Sequence, residues 1–258
     1  MYNINVQKRG DFVKSIQIDK NKILRKFDNG IESIIYYYDD NGKIVLLKHF
    51  NDEIFINDRF VPITQKTLSN KEKKIEIIKS SPLFNNEVKI LDKAYEDDKF
   101  KGYTLEKSNL TVTSCFQKRK TKIKILKELR NKIELFNQNG IFLGDIHEGN
   151  ILTNKDGSEI QLCDLDNLRI NDLDFDVVSI AVNRFNKKCF KKEFVDSYSF
   201  NLFTISLLEK IYAPHVLEHL KEHGLPRILN TKENREIMDS IINLDNSYQK
   251  KYLIDYMK

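Results

Sequence analysis

The sequence contains few cysteines and no long run of apolar residues, and both absences exclude classes of protein. Only three of the 258 residues are cysteine, Cys115, Cys163 and Cys189, and they form no CxxC or other paired spacing. Such a sparse, odd set favours neither a disulfide framework nor a zinc site and is typical of a reducing compartment. No stretch approaches the roughly 20 apolar residues of a membrane span, and Met1 to Val6 lack the apolar core of a signal sequence. We therefore expect a soluble, cytoplasmic protein without a membrane span.

A strong charge of either sign is also lacking. The chain has 43 Lys and Arg against 38 Asp and Glu, which gives a formal net charge of +5. A local cluster of basic residues, Lys118-Arg119-Lys120, is interpreted as a solvated helix end, so nucleic-acid binding is not expected. A hydrophobic content of 40% is ordinary for a globular protein, and the length suits one large or two small lobes.

The most informative stretch runs from Gly144 to Leu152, with the sequence GDIHEGNIL. Asp145 and Asn150 lie five positions apart, and Asp164 follows a second apolar strand fourteen residues after Asn150. One carboxylate to orient an acceptor hydroxyl, with an amide oxygen and a second carboxylate as magnesium ligands, is the set that phosphoryl transfer uses. Taken alone, Asp, Asn and Gly are also the commonest turn residues. The pattern therefore indicates phosphoryl transfer only together with further parts of the chain.

The layout resembles the catalytic loop and the metal-binding loop of the protein-kinase-like superfamily. The resemblance implies that Asp145 orients the acceptor hydroxyl and that Asn150 and Asp164 bind Mg²⁺ on the phosphates of ATP. Asp166 follows where the family has a glycine, and it is either a further ligand or a turn residue.

Two positions of the loop depart from the family's pattern. Leu143-Gly144 replaces the His-Arg pair before the catalytic Asp, which is similar to the Gly-Asp form of small-molecule phosphotransferases and atypical kinases. Without that arginine, activation by loop phosphorylation is not expected. His147 stands where the family has a lysine, and it either donates to the γ-phosphate as a catalytic residue or packs within the loop.

The first part of the chain predicts strands. Asn41-Gly42 between two β-branched and aromatic runs is a strong hairpin signal, and it places Lys48 at the end of a hairpin strand. By the resemblance, Lys48 pairs with the α- and β-phosphates, whereas a solvated strand-end lysine is the alternative. The family's glycine-rich loop should lie just ahead of this hairpin. Only one of its three glycines is present, so Gly30 and Ser33 are the candidate nucleotide contacts there.

A helix is expected from about Ser69, because Ser69 to Glu72 has the form of a capping box. The resemblance implies that a glutamate of this helix holds Lys48. Glu72 and Glu76 share a helical face, and because Glu72 is assigned to the cap, Glu76 is the preferred partner. Beyond two further strands, Leu105 or Glu106 would adjoin adenine in the family's hinge, unless this segment is an ordinary linker.

Helical periodicity governs the second part of the chain. Apolar residues three or four apart predict a helix between Thr121 and Asn139, with Gly140 as its C-cap. A second apolar helix begins near Asp196. This helix resembles the one whose leading Asp braces the catalytic loop in the family, and Asp196 also suits the helix dipole. The residues between Asp164 and Asp196 match the length of an activation segment.

We therefore expect an α+β, two-lobed kinase-like fold that forms one catalytic domain with a shortened C-terminus. Residues 1–105 form its β-rich N-lobe and residues 106–258 its mainly helical C-lobe. The expected function is an ATP- and Mg²⁺-dependent transfer of a phosphoryl group to a hydroxyl, with a protein Ser or Thr as the expected acceptor. The alternatives are a small-molecule phosphotransferase of the aminoglycoside or choline type and a nucleotide-binding pseudokinase scaffold.

Overall fold

Strands form most of the first part of the chain and helices most of the second, so the protein belongs to the α+β class. A computed structural model describes residues 14–30, 32–56, 59–175, 194–211, 215–243 and 251–257. The chain divides into two compact units, residues 1–109 and 110–258. The sequence-based boundary after residue 105 lies at the end of the last strand of the first unit's main sheet. The N-terminal hexapeptide, Cys189 and most of the expected activation segment lie outside the described residues.

The first unit contains a six-stranded mixed sheet with the order β1-β7-β8-β4-β3-β2, in which only β1 and β7 are parallel. A separate pair, β5 and β6, precedes helix α1. The elements are β1 (Ser15–Gln17), β2 (Ile23–Asn29), β3 (Ser33–Asp40), β4 (Lys43–Phe50), β5 (Glu53–Ile56), β6 (Arg59–Pro62), α1 (Gln65–Ser80), β7 (Ile90–Glu96) and β8 (Lys99–Leu105).

The predicted Asn-Gly hairpin is confirmed. Asn41 and Gly42 both have positive φ, 53° and 88°, as a tight turn between twisted strands requires. The ladder of β3 and β4 runs without a break from the pair Asp40–Lys43 to the pair Ser33–Phe50. The prediction that Lys48 closes this strand is wrong, because the ladder continues for two more residues.

Helix α1 begins earlier than the sequence suggested. Its N-cap is Thr64, whose hydroxyl accepts a hydrogen bond from Thr67 N at 3.2 Å. Ser69 therefore lies inside the helix, and Glu72 has no capping role. The earlier start follows from burial, because it places Leu68 on the same buried face as Ile75 and Ile78.

The second unit is mainly helical, with two short sheets among its described residues, one of two strands and one of three. The helix predicted between Thr121 and Asn139 is confirmed. The apolar strand expected before Asp164 is also present, and it pairs with the strand that follows Asn150. The elements are β9 (Thr111–Val112), α2 (Arg119–Gln138), β10 (Ile141–Phe142), β11 (Ile151–Thr153), β12 (Ile160–Leu162), β13 (Arg169–Ile170), α3 (Val195–Glu209), α4 (Val216–His223) and α5 (Lys232–Ile242).

Helix α3 forms the centre of this unit. Every residue from Val195 to Leu207 is buried, and its apolar side chains pack with those of α4 and α5, for example Val216 and Ile237. Burial on all sides explains why the helix shows no polar face. Within the described ranges, no helix combines the length and the apolar character that crossing a membrane would need.

Candidate active site

The loop that carries Asp145 is held from within the protein by Asp196. One carboxylate oxygen accepts a hydrogen bond from Leu143 N at 2.9 Å, and the other accepts one from Gly144 N at 2.7 Å. With its amide nitrogen directed toward this carboxylate, Asn137 donates a third bond at 2.8 Å. Asp196 lies in the first turn of α3, so it also faces the positive end of the helix dipole. Asp196 therefore both holds the backbone before Asp145 and places a negative charge at the start of α3, as the sequence analysis proposed.

Asp196 has no exposed surface. Burial raises the pKa of Asp196 to about 6, although the N–H groups of Gly144 and Leu143 act in the opposite direction. The ionised form is the one that accepts from both loop amides at once. The carboxylate is therefore a buried anchor for the backbone immediately before Asp145.

The hairpin of β11 and β12 brings Asn150 beside Asp164. Ile151 pairs with Leu162, and Cys163 N donates to Asn150 O at 3.1 Å, which extends the ladder by one step. Residues that flank such a ladder on both strands are direct neighbours. The loop that ends at Asn150 and the loop that begins at Asp164 are therefore neighbours, although these residues lie fourteen positions apart in the sequence.

Asp145, Asn150 and Asp164 line one small pocket in this unit. Apolar side chains form most of its remaining wall, among them Leu143 and Leu165. Three of the residues predicted from the sequence are therefore brought together. The pocket has a volume of about 20 Å³, which is room for one water-sized ligand such as a metal ion.

Asn150 is oriented by Asp145. Its amide nitrogen donates to the backbone oxygen of Asp145 at 3.1 Å and to the carboxylate oxygen Oδ2 at 3.2 Å. Because the nitrogen faces Asp145, the amide oxygen of Asn150 faces away from it. That oxygen is a suitable ligand for a hard cation.

His147 contacts the same carboxylate oxygen of Asp145 as Asn150 does, with its Nε2 at 3.6 Å from Oδ2. Burial lowers the pKa of His147, but the carboxylates of Asp145, Glu148 and Asp164 outweigh burial, so that the pKa lies above its usual value. Nδ1 accepts a hydrogen bond from Gly149 N at 3.1 Å, which places the single proton of the neutral ring on Nε2.

Asp164 and Asp166 differ in accessibility. Asp164 is half-buried and has the left-handed backbone conformation, with φ 60° and ψ 44°. Asp166 is fully buried, with 0% of its surface exposed. A carboxylate at the pocket wall suits an incoming cation better than one enclosed by protein, so Asp164 is the stronger candidate ligand.

Gly144 is required at its position for two reasons. Its φ of +73° favours glycine, and a Cβ placed on it would overlap the ring of Phe175. The backbone before Asp145 therefore has no space for the arginine that the kinase pattern carries there. Phe175 is a contact that sequence analysis missed, since nothing in the local pattern links it to Gly144.

Among the described residues, no group of three or more His, Cys, Asp or Glu side chains forms a metal cluster. The oxygen donors of the pocket are instead the amide of Asn150 and the carboxylates of Asp164 and Asp145. Mg²⁺ binds proteins through one or two such groups and completes its octahedron with phosphate and water oxygens. The chemistry of Asn150 and Asp164 therefore fits magnesium carried by a nucleotide.

The predicted nucleotide contacts of the first unit lie on neighbouring elements. Gly30 and Ser33 form the tight connection of β2 and β3, where Gly30 N donates to Ser33 O at 2.9 Å. Leu105 ends β8 and pairs with Leu46 of β4, and the next residue, Glu106, donates its N–H to Lys89 O. These residues border the strand that contains Lys48.

Lys48 lies in the middle of the sheet and is 4% exposed. Its Nζ atom is 5.6 Å from the ring centroid of Phe50 and 5.7 Å from that of Tyr103. Aromatic faces stabilise a desolvated ammonium group by cation–π attraction. Lys48 is therefore held in a preorganised position within its own unit.

The assignment of Glu76 to Lys48 requires correction. The carboxylate of Glu76 contacts Lys93 Nζ at 2.6 Å, and Glu72 contacts the same atom at 2.9 Å. Tyr103 pairs with Lys48 on one side and with Lys93 on the other, so both lysines lie in one row of the sheet. β7, which carries Lys93, packs against α1, so its lysine reaches the glutamates first. Sequence spacing does not reveal this register.

Glu72 is the more firmly held of the two glutamates. It also accepts a hydrogen bond from the Tyr95 hydroxyl, and its side chain is 27% exposed against 48% for Glu76. Burial raises the pKa of Glu72, but the hydrogen bonds from Tyr95 and Lys93 outweigh burial, so that the pKa lies below its usual value. Burial lowers the pKa of Lys93, but its two carboxylate partners raise it well above the usual range.

We expect Glu72→Gln to lower the free energy of unfolding by about 1 to 2 kcal/mol and Glu76→Gln by less than about 0.5 kcal/mol. Because the folded-state pKa of Glu72 is depressed, its contribution is present above the unfolded pKa and is lost as pH falls through the folded pKa. Urea unfolding at neutral pH and at acidic pH measures both effects. Equal losses in the two variants at neutral pH would contradict the assignment.

No family model matches this sequence, and a search of the curated proteins found no match either.

Proposed function

We propose that this chain is a kinase-like phosphotransferase that uses Mg²⁺ and ATP and moves the γ-phosphoryl group to a hydroxyl, with a protein Ser or Thr as acceptor. The observation that carries the proposal is the pocket lined by Asp145, Asn150 and Asp164. Its support is the match between these three oxygen-bearing side chains and the needs of phosphoryl transfer.

In this proposal Asp145 aligns the acceptor hydroxyl and receives its proton. Its carboxylate is positioned by the amide of Asn150 and by the backbone anchored on Asp196. A group fixed by the surrounding protein keeps the reacting atoms aligned, which is a main source of rate in this chemistry. The hydroxyl needs no strong base, because catalysis of phosphoryl transfer is mainly positioning and electrostatics.

Asn150 and Asp164 would hold the magnesium ion through one amide oxygen and one carboxylate. The ion, when bound, neutralises charge that develops on the phosphate oxygens. The hairpin ladder fixes the spacing of the two ligands, since Cys163 N is bonded to Asn150 O. Their geometry is thus set before any ligand arrives.

His147 would donate its Nε2 proton toward the γ-phosphate. The supporting observation is the bond from Gly149 N to Nδ1, which fixes the tautomer. The first unit would contribute the nucleotide contacts, with Lys48 for the phosphates, Gly30 and Ser33 for the covering turn, and Leu105 and Glu106 for the base.

A small-molecule phosphotransferase of the aminoglycoside or choline type is a second candidate. One observation favours it: the positive φ of Gly144 and the ring of Phe175 leave no space for the arginine of regulated protein kinases. The two candidates share every assigned residue and differ only in the acceptor. A panel of protein and small-alcohol acceptors separates them.

Mg-ATP at about ten times its Kd is expected to raise Tm by about 3 to 6 °C, since a ligand of the native state stabilises it by mass action. Lys48→Met is expected to reduce this shift, and Asp164→Asn is expected to remove the dependence of the shift on magnesium. Thermal melting with ATP, with and without magnesium, measures both, each variant being compared with its own ligand-free Tm.

Asp172→Asn is the matched control for Asp164→Asn. Asp172 is an exposed acid that also follows the Gly144–Leu152 stretch, but it does not line the pocket. Asp172→Asn should melt like the wild type under all conditions. An unchanged magnesium dependence in Asp164→Asn would reassign the ligand, with Asp166 as the next residue to test. No shift with ATP or ADP in the wild type would contradict the nucleotide site.

A further inference from the structure

A basic groove of about 630 Å³ lies in the second unit, between the start of α2 and the end of α3. Its volume is within the range of ligand-binding pockets. We call it the basic groove. It is lined by Phe116, Gln117, Lys118, Arg119, Lys122, Leu208, Glu209, Lys210 and Arg227. None of these residues belongs to the candidate active site.

The groove is locally basic, although it holds only five of the 43 Lys and Arg residues of the chain. Five of its nine lining residues are Lys or Arg and one is acidic, whereas the whole chain of 258 residues carries a net charge of only +5. These cations come from three separate segments of the sequence. The groove therefore gathers charge that the sequence alone presents as scattered.

Folding stability accounts for Lys122 and Lys210, which lie at the C-terminal, negative end of the α3 dipole, but not for the cations at the start of α2. Helix α2 starts with Lys118 and Arg119, has no acidic residue in its first turn and has no side-chain cap. Cations at the positive end of a helix dipole are unfavourable. Lys122 is buried and donates to Leu207 O at 2.6 Å, and both burial and the charge of Lys210 lower its pKa. An anion bound in the groove would relieve this repulsion.

Phe116 adds an apolar element to the groove. Its side chain is 83% exposed, the largest exposure among the large apolar residues of the described ranges. The Nζ atom of Lys210 lies 6.0 Å from the centre of its ring. Exposed aromatic residues next to Arg are typical of the centres of protein interfaces.

We propose that the basic groove binds an acidic peptide segment of a partner protein, with one large apolar side chain of that segment packed on Phe116. Carboxylates of the segment pair with Arg119 and Arg227, whose planar guanidinium groups bind carboxylates in bidentate fashion. Single-stranded nucleic acid fits less well, because such surfaces stack successive bases on several aromatic side chains, and Phe116 is the one aromatic residue among the described residues that line the groove. This proposal does not depend on the proposed phosphotransferase activity.

The test is fluorescence anisotropy with a labelled peptide that carries four Asp or Glu residues around one Phe. We expect saturable binding that weakens as salt is raised from about 50 to about 300 mM, since exposed ion pairs are screened. The double variant Arg119→Glu/Arg227→Glu should weaken binding at least about tenfold, and Phe116→Ala should weaken it about threefold to tenfold. All three side chains are exposed, so the variants should fold.

The matched control is Lys66→Glu/Lys127→Glu, which makes the same change in charge at exposed sites outside the groove. Its affinity should stay within about twofold of the wild type, because neither lysine lines the groove and exposed charges are screened by salt. The proposal is overturned if the control weakens binding as much as the groove variant or if the peptide does not bind. Tighter binding of a labelled single-stranded oligothymidylate than of the peptide would also overturn it and would assign the groove to nucleic acid.

Discussion

Replacing Asp145 by Asn is expected to reduce phosphoryl transfer by about two to four orders of magnitude, the usual contribution of a positioned acid or base. The Mg-ATP-induced rise in Tm should persist, because the nucleotide is held by other residues. Asn retains an oxygen that accepts from the Asn150 amide, so the loop should keep its geometry. The loss is then chemical, and it separates an enzyme from a nucleotide-binding scaffold.

Glu148→Gln is the control for this variant, since it removes one negative charge from the same loop. It should retain transfer within about tenfold of the wild type. An NMR titration gives an independent readout: loss of the Asp145 charge should lower the pKa of His147, which that carboxylate raises. Undiminished transfer by Asp145→Asn would contradict its catalytic role.

Replacing Asp196 by Ala is expected to lower the free energy of unfolding by about 2 to 4 kcal/mol, because two buried N–H groups lose their acceptor. Those groups belong to Leu143 and Gly144, so the backbone before Asp145 should shift and transfer should fall at least about tenfold. Chemical denaturation and an activity assay measure the two effects. Ser197→Ala, the adjacent buried residue of α3, should cost less than about 1 kcal/mol.

The contribution of Asp196 to the free energy of unfolding depends on pH, and the direction of this dependence is defined. Because the pKa of Asp196 is raised to about 6, the folded state binds this proton more tightly than the unfolded state does. Its contribution to stability therefore falls as pH rises from about 4 to about 6 and is constant above that range. The difference in stability between the wild type and Asp196→Asn should follow this course. An equal difference at acidic and neutral pH would contradict the raised pKa.

Local patterns predicted most of the elements that position the site. Asn41-Gly42 fixed a hairpin, and apolar spacing located α2, because these signals act within a few residues. The start of α1 was misplaced because Thr64 and Ser69 both begin plausible caps, and only burial of Leu68 chooses between them.

Long-range contacts were harder to predict. Lys93 contacts both Glu72 and Glu76 of α1 because of the register of strands β4, β8 and β7. That register cannot be derived from the sequence pattern. Phe175 meets Gly144 across a distance of 31 residues along the chain, and no local rule connects them. The sequence predicts a solvated helix end for the basic cluster at the start of α2. The fold brings Lys210 and Arg227, from distant parts of the chain, to the same groove.

The central claim is that this chain transfers a phosphoryl group from ATP to a hydroxyl. The most direct measurement is transfer of radiolabel from the γ-position of ATP by the wild-type chain, with magnesium, to itself, to generic proteins and to a panel of small alcohols. We predict magnesium-dependent label on at least one hydroxyl acceptor. If the protein binds Mg-ATP but labels none of these acceptors, the claim is contradicted and the chain is a nucleotide-binding scaffold.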